Sequence, residues 1–139
     1  MRAILAATTL IAATAAGCGD TQPRTNVPRP PAPITLTGAI HDGRIQVSPA
    51  RVGAGPIVLI VSNQTTRPQR VTFETDELGG DRPGRTASTP VIAPQGTGRL
   101  TIDARSGRYA VHTRERTIRA ARVNVGAPRP SSQNDLLLP

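Results

Sequence analysis

The sequence predicts an all-β chain, an antiparallel Greek-key β-sandwich of one domain with an irregular segment at either end. Three observations lead there. From Ile34 to Gly126 apolar residues recur at a spacing of two and nowhere at helical spacing. Glycine- and proline-containing turns interrupt that pattern at short intervals. The 139 residues, 37% of them hydrophobic, suffice for one modest core and leave little room for a second domain.

The first element, residues 1–17, reads as an address. Met1-Arg2 is a short basic start, and Ala3 to Ala16 is an uncharged run of 14 residues. A bilayer span needs about 20, so this length suits the apolar region of a signal peptide. Ala15-Ala16-Gly17-Cys18 closes it with small residues before the only cysteine of the chain. This resembles the lipobox of bacterial lipoproteins, with Ala15 where leucine is preferred. The resemblance implies that the Cys18 thiol is lipidated and becomes the mature N-terminus. A diacylglyceryl group then holds the protein on the outer face of the cell membrane, since two acyl chains anchor durably where one does not.

Residues 18–33 contain five prolines and no periodic apolar positions, which marks an extended tether. In polyproline II it reaches about 45 Å, at roughly 3.1 Å per residue. Residues 127–139 read as a disordered tail ending in Leu136-Leu137-Leu138. The body is therefore expected over 34–126.

Within it, Ile34/Leu36, Ile45/Val47, Val71/Phe73, Leu100/Ile102, Tyr109/Val111 and Val123/Val125 alternate with polar neighbours, so each strand presents one face inward. Pro56-Ile-Val-Leu-Ile-Val61 is apolar on both faces, as a central strand is. Gly53-Ala-Gly55, Pro94-Gln-Gly96 and Ser106-Gly107 are expected as turns. His41-Asp42-Gly43 reads as a hairpin tip.

Two sandwich families fit. Ser106-Gly-Arg-Tyr109 suits the tyrosine corner of an immunoglobulin-like domain, although the strand-C tryptophan and disulfide pair of that family are absent. The order of motifs also resembles the cupredoxins. The chain has Gly55-Pro-Ile-Val-Leu-Ile-Val-Ser-Asn63, then Pro68-Gln69, then Pro90-Val-Ile-Ala-Pro-Gln-Gly-Thr-Gly-Arg-Leu-Thr-Ile102 and Gly107-Arg-Tyr-Ala-Val-His-Thr113. These look like that family's strand ending in asparagine, its proline–histidine loop and the Gly-x-Tyr strand leading to its copper loop. Carried over by position, the first histidine ligand falls on Gln69, the cysteine on Thr113, and the second histidine and the methionine on Arg116 and Arg119. A blue-copper site needs two imidazoles, a thiolate and a weak axial ligand. The resemblance thus implies the fold without the metal, and no cofactor is expected.

Other chemistry is equally thin. His112 alternates with Tyr109 and Val111 and is expected on the solvent face. Glu74, Asp76, Glu77 and Asp81 lack Ca²⁺-loop spacing and read as a solvated loop neutralised by Arg82 and Arg85. Gly53-x-Gly55 precedes a strand, not a helix, so it is no dinucleotide fingerprint. No nucleophile elbow accompanies His41-Asp42, and no catalytic residue is expected.

The charge pattern is the remaining lead. All 17 basic residues are arginine, and from Arg99 to Arg122 seven of them face only Asp103 and Glu115, a local balance of +5. Arg67, Arg114, Arg116 and Arg119 would meet at the end that holds copper in the cupredoxins, with Arg44 and Arg51 elsewhere on the body. Guanidinium forks grip carboxylate and phosphate bidentately. The expected function is a non-enzymatic binding module for a protein or anionic envelope component. A copper- or zinc-handling protein using His41 and His112 is the alternative. Nucleic acid is not an expected partner, because an exported chain whose only aromatics are Phe73 and Tyr109 offers few stacking platforms.

Overall fold

A computed structural model describes residues 29–76 and 84–131. The signal segment, Cys18, most of the tether, Glu77, Asp81, Arg82 and Leu136–Leu138 lie outside the described residues. Eight strands follow in order: β1 (Ile34–His41), β2 (Arg44–Ser48), β3 (Arg51–Asn63), β4 (Thr72–Thr75), β5 (Thr86–Ser88), β6 (Thr97–Ala104), β7 (Gly107–His112) and β8 (Ala121–Pro128). There is no helix among the described residues, as the period-two pattern requires.

The strands form two layers. One carries β2, β1, β3 and β6; the other carries the start of β3 followed by β8, β7, β4 and β5. The predicted alternation holds closely in β6, where Leu100, Ile102 and Ala104 are buried and Arg99, Thr101 and Asp103 face water. Register aligns Leu36, Leu59 and Leu100 across β1, β3 and β6. This row meets Phe73, Tyr109, Val111, Val123 and Val125 from the other layer in one continuous core. Phe73 and Tyr109 pack edge to face at 5.3 Å, and the Tyr109 hydroxyl accepts a hydrogen bond from the Arg105 amide at 2.9 Å. The expected corner geometry is therefore present.

Three expectations need correction. The sandwich is not purely antiparallel, because β1–β3 and β3–β8 are parallel ladders. Gly53–Gly55 does not separate two strands. It lies inside β3, at a register shift between Gly53 and Ala54 where the chain leaves β8 for β1 and β6. Gly55 takes φ 127° there, a conformation that side chains other than glycine rarely adopt. Finally, β8 continues past 126 to Pro128, and Arg129 is tied down rather than loose. Its guanidinium donates to the carbonyls of Gly53, Ala54 and Pro56 at 3.3, 3.3 and 2.8 Å, and to that of Ala32. Arg129 thus clamps the last residues before β1 to the corner of β3, so the folded unit includes residues assigned to both the tether and the tail.

Glu74 also departs from its expected place in an acidic loop. It belongs to β4 and accepts a hydrogen bond from His112 Nε2 at 2.9 Å. His112 is consequently half-buried, its Nδ1 within 3.2 Å of the Thr113 carbonyl.

Candidate functional site

At the end of the sandwich where β3 stops, Asn63 organises two loops. It is fully buried. Its Nδ2 donates to the carbonyls of Arg67, Ile92 and Ala93 at 2.7, 3.1 and 3.3 Å. Its Oδ1 accepts from the Thr65 amide at 3.1 Å and the Thr65 hydroxyl at 2.8 Å. The loop 64–68 is thereby tied to the loop before β6. Gln69 and Ile92 exchange backbone hydrogen bonds at 2.9 and 2.7 Å. Ile92 itself lies over Gly98, where an added Cβ would come within 2.4 Å of its Cδ1, so any side chain there would have to push the buried Ile92 aside.

Glu115, from the β7–β8 loop, completes the arrangement. Gln69 Nε2 donates to its Oε2 at 2.9 Å, Thr117 Oγ1 to its Oε1 at 3.2 Å, and Arg67 pairs with Oε1 at 3.4 Å. The Gln69 hydrogen bond is the main cause holding its carboxyl below the usual range; Thr117 and Arg67 add to it against a smaller opposing cost of burial. A carboxyl with a lowered folded pKa stabilises the fold above its unfolded pKa and loses that contribution as pH falls through the folded value. The melting-temperature advantage of wild type over Glu115→Gln is therefore expected at neutral pH and should shrink through the acid range. An advantage constant with pH would show that the carboxylate charge contributes nothing.

Of the positions assigned to copper ligands, Gln69 and Thr113 are buried side by side with this network, while Arg116 and Arg119 are exposed. They do not fit the metal. An amide, a hydroxyl and two guanidinium groups replace imidazoles, thiolate and thioether. The Gln69 amide is spent on Glu115, and no buried side-chain nitrogen or oxygen among the described residues lacks a hydrogen-bond partner. No three metal-ligating side chains cluster among the described residues either.

The four arginines singled out in the sequence lie on two loops. Arg67 leaves the β3–β4 loop, and Arg114, Arg116 and Arg119 leave the β7–β8 loop, all exposed. Arg67 is partly neutralised by Glu115, whereas the side chains of Arg114, Arg116 and Arg119 meet no carboxylate among the described residues. Sequence reasoning missed two members. Glu115 enters the sequence only as one of two acids set against the arginines, whereas here it accepts from Gln69, Thr117 and Arg67. Arg44 was placed elsewhere, but it forms a parallel bridge with Arg119 and belongs to the same end. The two histidines do not cooperate: His41 Nε2 contacts Gln46 Oε1 at 3.2 Å, and His112 serves Glu74.

No family model matches the sequence, and no curated protein matches it. Solved structures do. Auracyanin A, a blue copper protein from the green thermophilic photosynthetic bacterium Chloroflexus aurantiacus, aligns at 13% identity over 68% of this chain and 100% of its own, with a TM-score of 0.54. Two amicyanin variants align more loosely. A reduced Cu(I) form at pH 4 shows 16% identity over 66% of this chain and 81% of its own, TM-score 0.46. An oxidized form shows 18% over 72% and 94%, TM-score 0.45. At these identities the likeness speaks for architecture alone. Of the two sandwich families that fitted the sequence, the body of this chain has the cupredoxin fold.

Proposed function

We propose that the chain is a lipid-anchored extracytoplasmic lipoprotein whose cupredoxin-like body is a non-enzymatic binding module for an anionic partner. The observation that carries this reading is the contrast at one end of the sandwich. Gln69, at the position where the resemblance puts a copper ligand, is held by Glu115, and on the same β7–β8 loop Arg114, Arg116 and Arg119 stand exposed without carboxylate partners among the described residues. Uncompensated guanidinium groups on one surface favour bidentate binding of carboxylate or phosphate. The anchor rests on Cys18 and its lipobox-like context, and places the body outside the cell membrane.

Charge reversal tests the surface. In the detergent-solubilised full chain, Arg114→Glu/Arg116→Glu is expected to elute from an anionic matrix at clearly lower salt than Arg51→Glu/Arg105→Glu. Arg51 starts β3 against Asn124 of β8, and Arg105 sits in the β6–β7 turn, so this control pair lies away from the loops concerned. Both double variants carry the same net charge. Equal elution would mean that only total charge matters and would remove the site. Wild-type retention should fall steeply with salt, since exposed charges are screened over about 8 Å at physiological ionic strength.

The anchor has its own test. Expressed in a bacterium, the wild type is expected to incorporate radiolabelled fatty acid and partition with membranes, and Cys18→Ala to do neither. A wild type recovered wholly soluble with an unmodified Cys18 would overturn the lipoprotein reading.

A further inference from the structure

A more specific site lies beside that surface, and its argument rests on the binding-module reading. His41 pairs with Arg44 across the β1–β2 hairpin, and Arg44 pairs in turn with Arg119 at the lead-in to β8. The main chain fixes this row: the Ile45 amide donates to the Arg119 carbonyl at 2.9 Å, and the Arg119 amide to the Gly43 carbonyl at 3.1 Å. Ile45 points into the core, so its neighbour Arg44 points out. Register partners share a face, which brings an imidazole and two guanidinium groups into line.

Their cleft, of about 530 Å³, is lined by His41, Gly43, Arg44 and Arg119, with no carboxylate. Asp42 at the hairpin tip lines a neighbouring cleft with Arg67 and Glu115. His41 Nε2 meets Gln46 Oε1, and among the described residues no contact engages its other ring nitrogen. At Gly43 an added Cβ would touch nothing within 4 Å, so the hairpin side of the cleft is open. Two like charges held on directly paired residues repel unless an anion lies between them. Two planar forks offer several N–H donors around a single tetrahedral group, with the imidazole beside them. A phosphate monoester, carrying close to two negative charges at neutral pH, matches both the charge and the donor geometry.

We propose that the His41–Arg44–Arg119 cleft binds the phosphoryl group of a phosphate monoester, carried either by a lipid headgroup or by a soluble ester.

The full chain in detergent, ¹⁵N-labelled, is titrated with inorganic phosphate while the amides of Gly43, Ile45 and Arg119 are followed. Saturable shifts at these amides are expected. Arg44→Gln and Arg119→Gln should each weaken binding at least about tenfold, the usual scale for losing one charge-assisted hydrogen-bond donor. Arg105→Gln, in the β6–β7 turn, should leave the affinity within about twofold. The main chain holds the row, and surface substitutions seldom change stability by more than about 0.5 kcal/mol, so the variants are expected to melt as wild type does. Glycerol 3-phosphate and dihexanoyl phosphatidic acid then separate the two sources: tighter binding of the second assigns a lipid headgroup, and equal binding assigns a soluble ester. Absence of saturable shifts at Gly43 and Arg119 overturns the cleft, as does an equal loss from Arg105→Gln. If the cleft fails while Arg114→Glu/Arg116→Glu still reduces matrix retention, the binding-module reading stands without it.

Discussion

Asn63→Ala is expected to lower stability by about 2–4 kcal/mol, on the scale of 1–3 kcal/mol for each buried polar group left unsatisfied plus the cavity left behind. For a domain of this size that is a fall in melting temperature on the order of 10–20 °C. Fully buried, the asparagine amide touches five polar atoms. The loss is not simply the sum of five bonds. The Arg67, Ile92 and Ala93 carbonyls each keep one other donor: the Thr65 hydroxyl, the Gln69 amide and the Gly96 amide. The Thr65 amide keeps none among the contacts of the loop, and the tie between the 64–68 and 92–96 loops is cut. Asn63→Asp separates donor from acceptor roles. It retains the oxygen that serves Thr65 but turns a carboxylate toward three carbonyls, so it should be the more damaging change at neutral pH and recover partly in acid as the carboxyl protonates. Thermal unfolding at two pH values checks both. A shift under about 3 °C for Asn63→Ala would show that the loops are held by other contacts.

Legibility followed the range of the interaction. Strands β1, β6, β7 and β8 show in the sequence because alternation is local: Leu100, Ile102 and Ala104 need only their own neighbours to declare a face. Pairing partners leave no such trace. Nothing in Ile34–Ile40 says that it runs parallel to Ile57–Asn63, and the corner at Gly53–Gly55 reads as an ordinary turn until β8 is placed beside Arg51. The site divides the same way. That Gln69 and Thr113 stand at ligand positions follows from the order of motifs. That Gln69 is satisfied by Glu115, 46 residues away, is a tertiary fact. Arg44 and Arg119 are 75 residues apart, so only the bridge between them reveals that the hairpin tip joins the arginine-bearing loops. Arg129 misled for a related reason. Proline-flanked arginine at a chain end looks solvated, whereas its planar fork meets a set of backbone carbonyls that exists only once β3 has turned its corner.

Phe73→Ala is expected to have the largest effect of any single substitution, about 3–5 kcal/mol, the range for deleting a buried aromatic. Domains of this kind have about 5–15 kcal/mol in total, so this removes a large part of the margin. Phe73 is fully buried and lies edge to face with Tyr109, the other aromatic of the chain, at an interplanar angle of 70°. The remaining core is aliphatic, and no neighbouring ring is available to move into the space. On β4, with β5 on one side and β7 on the other, Phe73 pairs with Ala87 and Val111, side chains too small to refill the cavity. Tyr109→Phe provides the contrast. It keeps the ring contact and removes only the acceptor of the Arg105 amide, so the expected cost is about 0.5–1.5 kcal/mol. Chemical denaturation of both variants therefore distinguishes packing from the corner hydrogen bond. If Tyr109→Phe proved as costly as Phe73→Ala, the hydrogen bond at the β6–β7 turn would be the main support of this layer, and the aromatic contact a secondary one.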